Sequence, residues 1–83
     1  MEKVLYKFYA EWCGPCKMMA PVVAAVAAET GIEVKEIDID KEPEMAKKYN
    51  ISSVPTFVKV VDGEAIDSIT GFVPEQKLKE FMI

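Results

Sequence analysis

The 83 residues, 51% apolar and 29% charged, suit one small globular domain with a thin core, in which a cofactor-sized cavity is not expected. A formal net charge of -4 argues against a nucleic-acid binder, which needs a basic face to neutralise phosphates. The absence of histidine excludes imidazole-based mechanisms, Ser-His and Cys-His pairs among them, and most zinc sites.

The start, Met1-Glu2-Lys3-Val4, precedes neither a long apolar h-region nor a small-residue cleavage site. The longest apolar runs, 18–28 and 54–61, fall short of the roughly 20 residues that span a bilayer. A cytoplasmic protein without membrane contact is expected. Two cysteines in such a chain read as catalytic or metal-binding sooner than as a structural staple, because cytosolic reductants keep thiols reduced.

Val4-Leu5-Tyr6-Lys7-Phe8-Tyr9-Ala10, β-branched and aromatic with one charge, predicts a strand (β1) covered on both faces. Cys13-Gly14-Pro15-Cys16 then leads into a helix (α1) reaching Thr30, with apolar Met19, Val22, Val23, Val26 and Ala27 at 3/4 spacing and Gly31 closing it. Pro21 inside it should introduce a kink. The Met18-Met19 pair reads as core filler. Residues 32–39 set Val34, Ile37 and Ile39 among charges as a second strand (β2). Pro43 suits the first turn of a short helix (α2), with Glu42 and Glu44 at its positive end, Lys47-Lys48 at its negative end and Asn50 stopping it. Strands over 54–61 (β3) and 64–70 (β4) flank Asp62-Gly63, a strong hairpin signal. Pro74 opens a last helix (α3) through Phe81. The chain contains no repeat or linker, so residues 1–83 form one α/β unit whose right-handed first crossover makes β1 and β2 parallel, with the hairpin antiparallel beside them.

Phe8-Tyr9-Ala10-Glu11-Trp12-Cys13-Gly14-Pro15-Cys16-Lys17 resembles the active-site segment of thioredoxins. Ala20-Pro21, Val54-Pro55-Thr56, Asp62-Gly63-Glu64 and Gly71 follow in that family's order, so the resemblance covers nearly the whole chain. It implies a thioredoxin-like α/β fold with a four-stranded mixed sheet in the order β2-β1-β3-β4 and three helices. The additional N-terminal strand and helix that thioredoxins usually carry are lacking, which gives the sheet a glutaredoxin size.

If Cys13 stands at the N-cap or first turn of α1, its sulfur faces unpaired backbone N–H groups and the positive end of the helix dipole. Lowering a thiol pKa by about one and a half units requires about 2 kcal/mol, roughly what a well-placed helix terminus supplies. Cys16, one turn on and pointing inward, is then the slower, buried thiol. Cys13 attacks an exposed disulfide and Cys16 resolves the mixed disulfide, leaving the partner reduced. Gly14 and Pro15 keep the turn compact. The resemblance makes the chain a protein-disulfide reductase and monomer with no cofactor and no metal of its own, acting on disulfide-containing proteins. It is recharged by a flavin-dependent thioredoxin reductase. Glutathione is the rival donor, although Thr70-Gly71-Phe72-Val73-Pro74 offers no obvious polar cap for its carboxylate. A different class of reading has two chains share a zinc or iron-sulfur centre through four thiolates.

From the residues alone, Val54-Pro55 is an ordinary trans bond. The resemblance makes it cis, beside the dithiol, with the Val54 backbone free to pair with an extended substrate. Trp12, Pro55, Gly71 and Phe72 would complete an apolar platform around Cys13, the plain alternative for Trp12 being simple packing. Phe72 is bulkier than the family usually has there and would narrow the groove. Lys7 departs furthest from the pattern, standing where thioredoxins have a buried aspartate, while Glu36 stands where they have a lysine on the neighbouring strand. A Lys7–Glu36 contact is expected, the alternative being that both side chains reach water. Beneath the dithiol, Lys7 would favour thiolate and make the protein a weaker reductant.

Overall fold

The computed structural model describes residues Glu2–Ile83; Met1, the first residue of the expected unit, lies outside the described residues. The elements are β1 (Lys3–Tyr9), α1 (Gly14–Thr30), β2 (Glu33–Asp38), α2 (Pro43–Lys48), β3 (Thr56–Val61), β4 (Glu64–Thr70) and α3 (Glu75–Met82). The four strands form one sheet in the order β2-β1-β3-β4, with β1 and β2 parallel and the other two pairs antiparallel. Order, orientation and helix count agree with expectation.

Most strand ends move by one or two residues. The largest shift is at β3, expected from Val54 but starting at Thr56. Pro55 has no N–H to give to a ladder, so pairing resumes only after it. Pro74, expected to open α3, is its N-cap. Pro21 lies inside α1 without ending it.

Alternation along the central strands builds a core on each face. Leu5 and Phe57 meet Met19, Val23 and Val26 of α1 and Leu78 and Met82 of α3. Phe8, Ile37, Val58 and Val60 point the other way, against Met45 and Tyr49 from the α2 side. Because side chains of a strand alternate with period two, one β1 strand serves both layers. The expectation that β1 is covered on both faces therefore holds. The hairpin closes through Asp62 and Gly63, both at positive φ (51° and 83°), the geometry a two-residue type I′ turn demands.

The methionine pair divides. Met19 is fully buried, whereas Met18 is 63% exposed, correcting the reading of both as filler. Neighbours in a helix point about 100° apart, so only one of two adjacent residues lies on the sheet-facing stripe. No described helix is long and apolar enough to cross a membrane.

Candidate active site at the opening of α1

The loop after β1 is folded by a hydrogen bond from the Cys13 N–H to the Ala10 carbonyl, 3.1 Å. It delivers Cys13 to the N-cap of α1 in an extended conformation (φ -88°, ψ 108°). Gly14 and Pro15 form the first turn, where the N–H that proline lacks would have no helical partner in any case. The Cys13 sulfur then accepts the N–H of Cys16 at 3.2 Å, the bond that a serine or aspartate oxygen makes at an ordinary N-cap. Cys13 and Cys16 are joined as a disulfide across a Cα separation of 5.3 Å, within the span such bridges need.

One expectation is corrected. The sequence makes Cys16 the buried thiol in contrast to the attacking Cys13, yet Cys13 and Cys16 are equally buried, at 4% and 3% exposure. Ala10 completes their buried cluster, and Tyr9, Ile39 and Val54 pack against it. In the bonded state the two sulfurs face each other and those side chains close around them. Their difference therefore lies in position, Cys13 at the cap and Cys16 within the first turn.

Val54-Pro55 is cis. Among the described residues neither the N–H nor the C=O of Val54 has a hydrogen-bond partner, so this stretch offers a short free backbone edge beside the disulfide. Gly71 donates its N–H to the Pro55 carbonyl at 2.8 Å, which sets the loop after β4 against the proline. Trp12 and Phe72 stand out at 70% and 52% exposure. The structure thus gathers Trp12, Val54, Pro55, Gly71 and Phe72 on or beside the cysteine-bearing end of the sheet. The indole of Trp12 is not loose, since its Nε1–H donates to Asp40 Oδ2 at 2.9 Å.

Asp40 was missed by sequence reading. It is set by the buried Asp38, whose Oδ1 accepts the Asp40 N–H at 2.9 Å. The signal was available in the topology. β1 and β2 are parallel, so the residues that follow each of them meet at one edge of the sheet.

Lys7 and Glu36 are register partners on adjacent strands, and Lys7 Nζ lies 3.4 Å from Glu36 Oε1. The expected contact is present, but only half of it is buried, the side chains being 5% and 60% exposed. The Lys7 ammonium also lies 5.7 Å from the centroid of the Tyr9 ring. Lys7, Glu36, Tyr9, Lys17 and Cys16 line one open surface cleft of about 430 Å³. A buried cation and the inner cysteine thus share one water-accessible space.

A protein-family model described as Thioredoxin matches residues 1–83. A thioredoxin of Staphylococcus aureus is 41% identical over 80 residues, a match that takes in 94% of this chain and 77% of that protein. Among solved structures, a mutant thioredoxin from Halobacterium salinarum superposes with a TM-score of 0.94 at 41% identity, over 98% of this chain and 72% of the other. Mitochondrial thioredoxin 3 from Saccharomyces cerevisiae, in its oxidised form, gives 0.91 at 34% identity over 98% and 76%. A disulfide at a helix opening, matched over this much sequence and fold, makes the chain a member of the thioredoxin family and a protein thiol-disulfide oxidoreductase.

Proposed function

We propose that the chain works in the reducing direction, passing two electrons from its dithiol to disulfides of protein substrates. The observation that carries the attacking role of Cys13 in this reading is the Cys16 N–H directed at its sulfur. In the reduced protein that amide and the helix dipole favour a Cys13 thiolate. The thiolate attacks a substrate disulfide, one substrate sulfur leaves with the electron pair and takes a proton from water, and a mixed disulfide remains. Cys16 loses its proton, attacks Cys13 and releases the second substrate sulfur, so one disulfide is exchanged for another. Trp12, Val54, Pro55, Gly71 and Phe72 hold the substrate segment, Val54 through its free backbone groups. Gly14 and Pro15 fix the turn. Lys7, with Glu36 as its counter-charge, stabilises negative charge in the cleft and so favours the reduced state.

The electron donor in this reading is a flavin-dependent thioredoxin reductase acting in the cytoplasm. Against glutathione, the α3 N-cap is Pro74, which makes no side-chain cap bond, and Glu75 occupies the first turn. A carboxylate already standing there repels the carboxylates of the tripeptide.

Insulin reduction by the full chain, with NADPH and thioredoxin reductase or with glutathione, tests the reading. Turnover is expected with the reductase and little with glutathione. No turnover with either donor overturns it. Cys13→Ser should abolish attack, whereas Cys16→Ser should accumulate a covalent complex with the substrate.

A further inference from the structure

The exposed Phe72 sits between two anchored neighbours. On one side the Gly71 N–H is bound to the Pro55 carbonyl at 2.8 Å. On the other, the Val73 N–H donates to the thioether sulfur of Met19 at 3.4 Å, and this bond is buried. Met19 is 0% and Val73 2% exposed, so water does not serve the amide if the sulfur is removed. A buried backbone N–H needs a partner, and a thioether is a weak acceptor that few amides use when oxygen is at hand. Met19 is one turn along α1 from Cys16. The sulfur therefore links the helix that holds the disulfide directly to the loop that holds Phe72.

We infer that Met19 is a positioning residue for substrate: its sulfur fixes the Gly71-Phe72-Val73 loop against α1, and so sets where Phe72 stands relative to Cys13. This rests on the reading that Phe72 contacts protein substrates. A leucine at position 19 keeps the volume and the apolar packing but offers no acceptor. The Val73 amide is then unsatisfied and the loop loses its anchor on the helix side, while the disulfide and its capping amide remain as they are. Substrates that touch the loop bind less well, and small disulfides that reach only the sulfurs are unaffected.

The experiment compares wild type, Met19→Leu and, as a control on the exposed neighbour, Met18→Leu. In Met19→Leu the Val73 amide should exchange with solvent about tenfold faster or more. KM for insulin should rise about threefold or more with kcat nearly constant. Turnover of bis(2-hydroxyethyl) disulfide should match wild type, and Met18→Leu should match it throughout. An unchanged Val73 exchange rate overturns the inference. So does faster exchange with unchanged KM, or an equal loss with both disulfides, which would place the damage at the dithiol. If Met19→Leu does not fold, Met19→Ile carries the same comparison, and failure of both to fold makes Met19 a core residue only. If wild type itself turns over the small disulfide but no protein disulfide, it is the functional reading that fails.

Discussion

A sulfur at the opening of a helix meets amides that no carbonyl has claimed, and Cys13 makes use of one of them, the Cys16 N–H. Part of this was legible in the spacing, because a cysteine followed by Gly-Pro and a second cysteine before an apolar 3/4 pattern puts the first at the cap or in the first turn, and the structure places it at the cap. The near-equal burial of the two cysteines was not legible. It depends on Tyr9, Ile39 and Val54, which reach the site from three separate segments. The Lys7–Glu36 pairing was legible as an exchange of signs on strands that must be neighbours, but the 60% exposure of Glu36 was not, since it depends on what covers the outer face of β2. Lys7 lines the same cleft as Cys16, so its charge acts on the inner thiol more than on the capped one. Replacing Lys7 with alanine should therefore lower the reduction potential by more than about 15 mV, equal to roughly 0.7 kcal/mol. The direction follows from charge. The ammonium favours thiolate, hence the reduced state, and without it the protein becomes a stronger reductant. Equilibration against a thioredoxin of known potential measures this, and a smaller shift would leave Lys7 with a packing role only.

At the scale of elements, α1 carries most of what positions the site. Its 17 residues include only Lys17 and Glu29 as charged groups, and neither end is supported by an opposing charge in the terminal turn. Its ends are held by geometry, through Cys13 at the start and Gly31 at the finish. Gly31 sits at φ 73° and returns its N–H to the Ala27 carbonyl at 2.8 Å. A Cβ placed there would meet no atom within 4 Å, so a side chain is opposed by conformation alone. Gly31→Ala is expected to cost about 1 kcal/mol, read as a lower urea midpoint with unchanged slope, while insulin reduction stays at the wild-type rate. A loss of activity at constant stability would mean that the far end of α1 communicates with its cap. The sequence announced both ends because glycine after an apolar periodic run and cysteine before one are local signals. The start of β3 was missed because Val54, strand-like by type, packs against the disulfide instead of joining the ladder, and Pro55 has no N–H to give to it.

For the molecule as a whole, β1 and β3 are shared between two cores, and this decides how it unfolds. Phe57 belongs to the layer under α1 and α3, Phe8 to the layer on the α2 side, and both are fully buried. Coverage of β1 on both faces followed from its apolar, aromatic run, and alternation in the structure assigns Leu5 and Phe8 to opposite layers. What alternation left out was the content of each layer, which depends on helices that only the tertiary structure assigns. Removing either ring leaves a cavity and should cost about 3 to 5 kcal/mol. A domain of this size has about 4 to 12 kcal/mol in all, so either change removes a large share of it. If the layers were independent, Phe8→Ala would melt the α2 side first and leave α1 with its disulfide in place. The sheet argues otherwise. Leu5 and Phe8 lie on the same strand, with Phe57 and Val58 adjacent on its neighbour, and a strand cannot lose pairing for one face and keep it for the other. Phe8→Ala and Phe57→Ala should each give a single transition, in which the amide signals of Val26 in one core and Val60 in the other disappear at the same urea concentration. Earlier loss of Val60 in Phe8→Ala would separate the layers. It would also mean that the dithiol end can keep its shape on half of the fold.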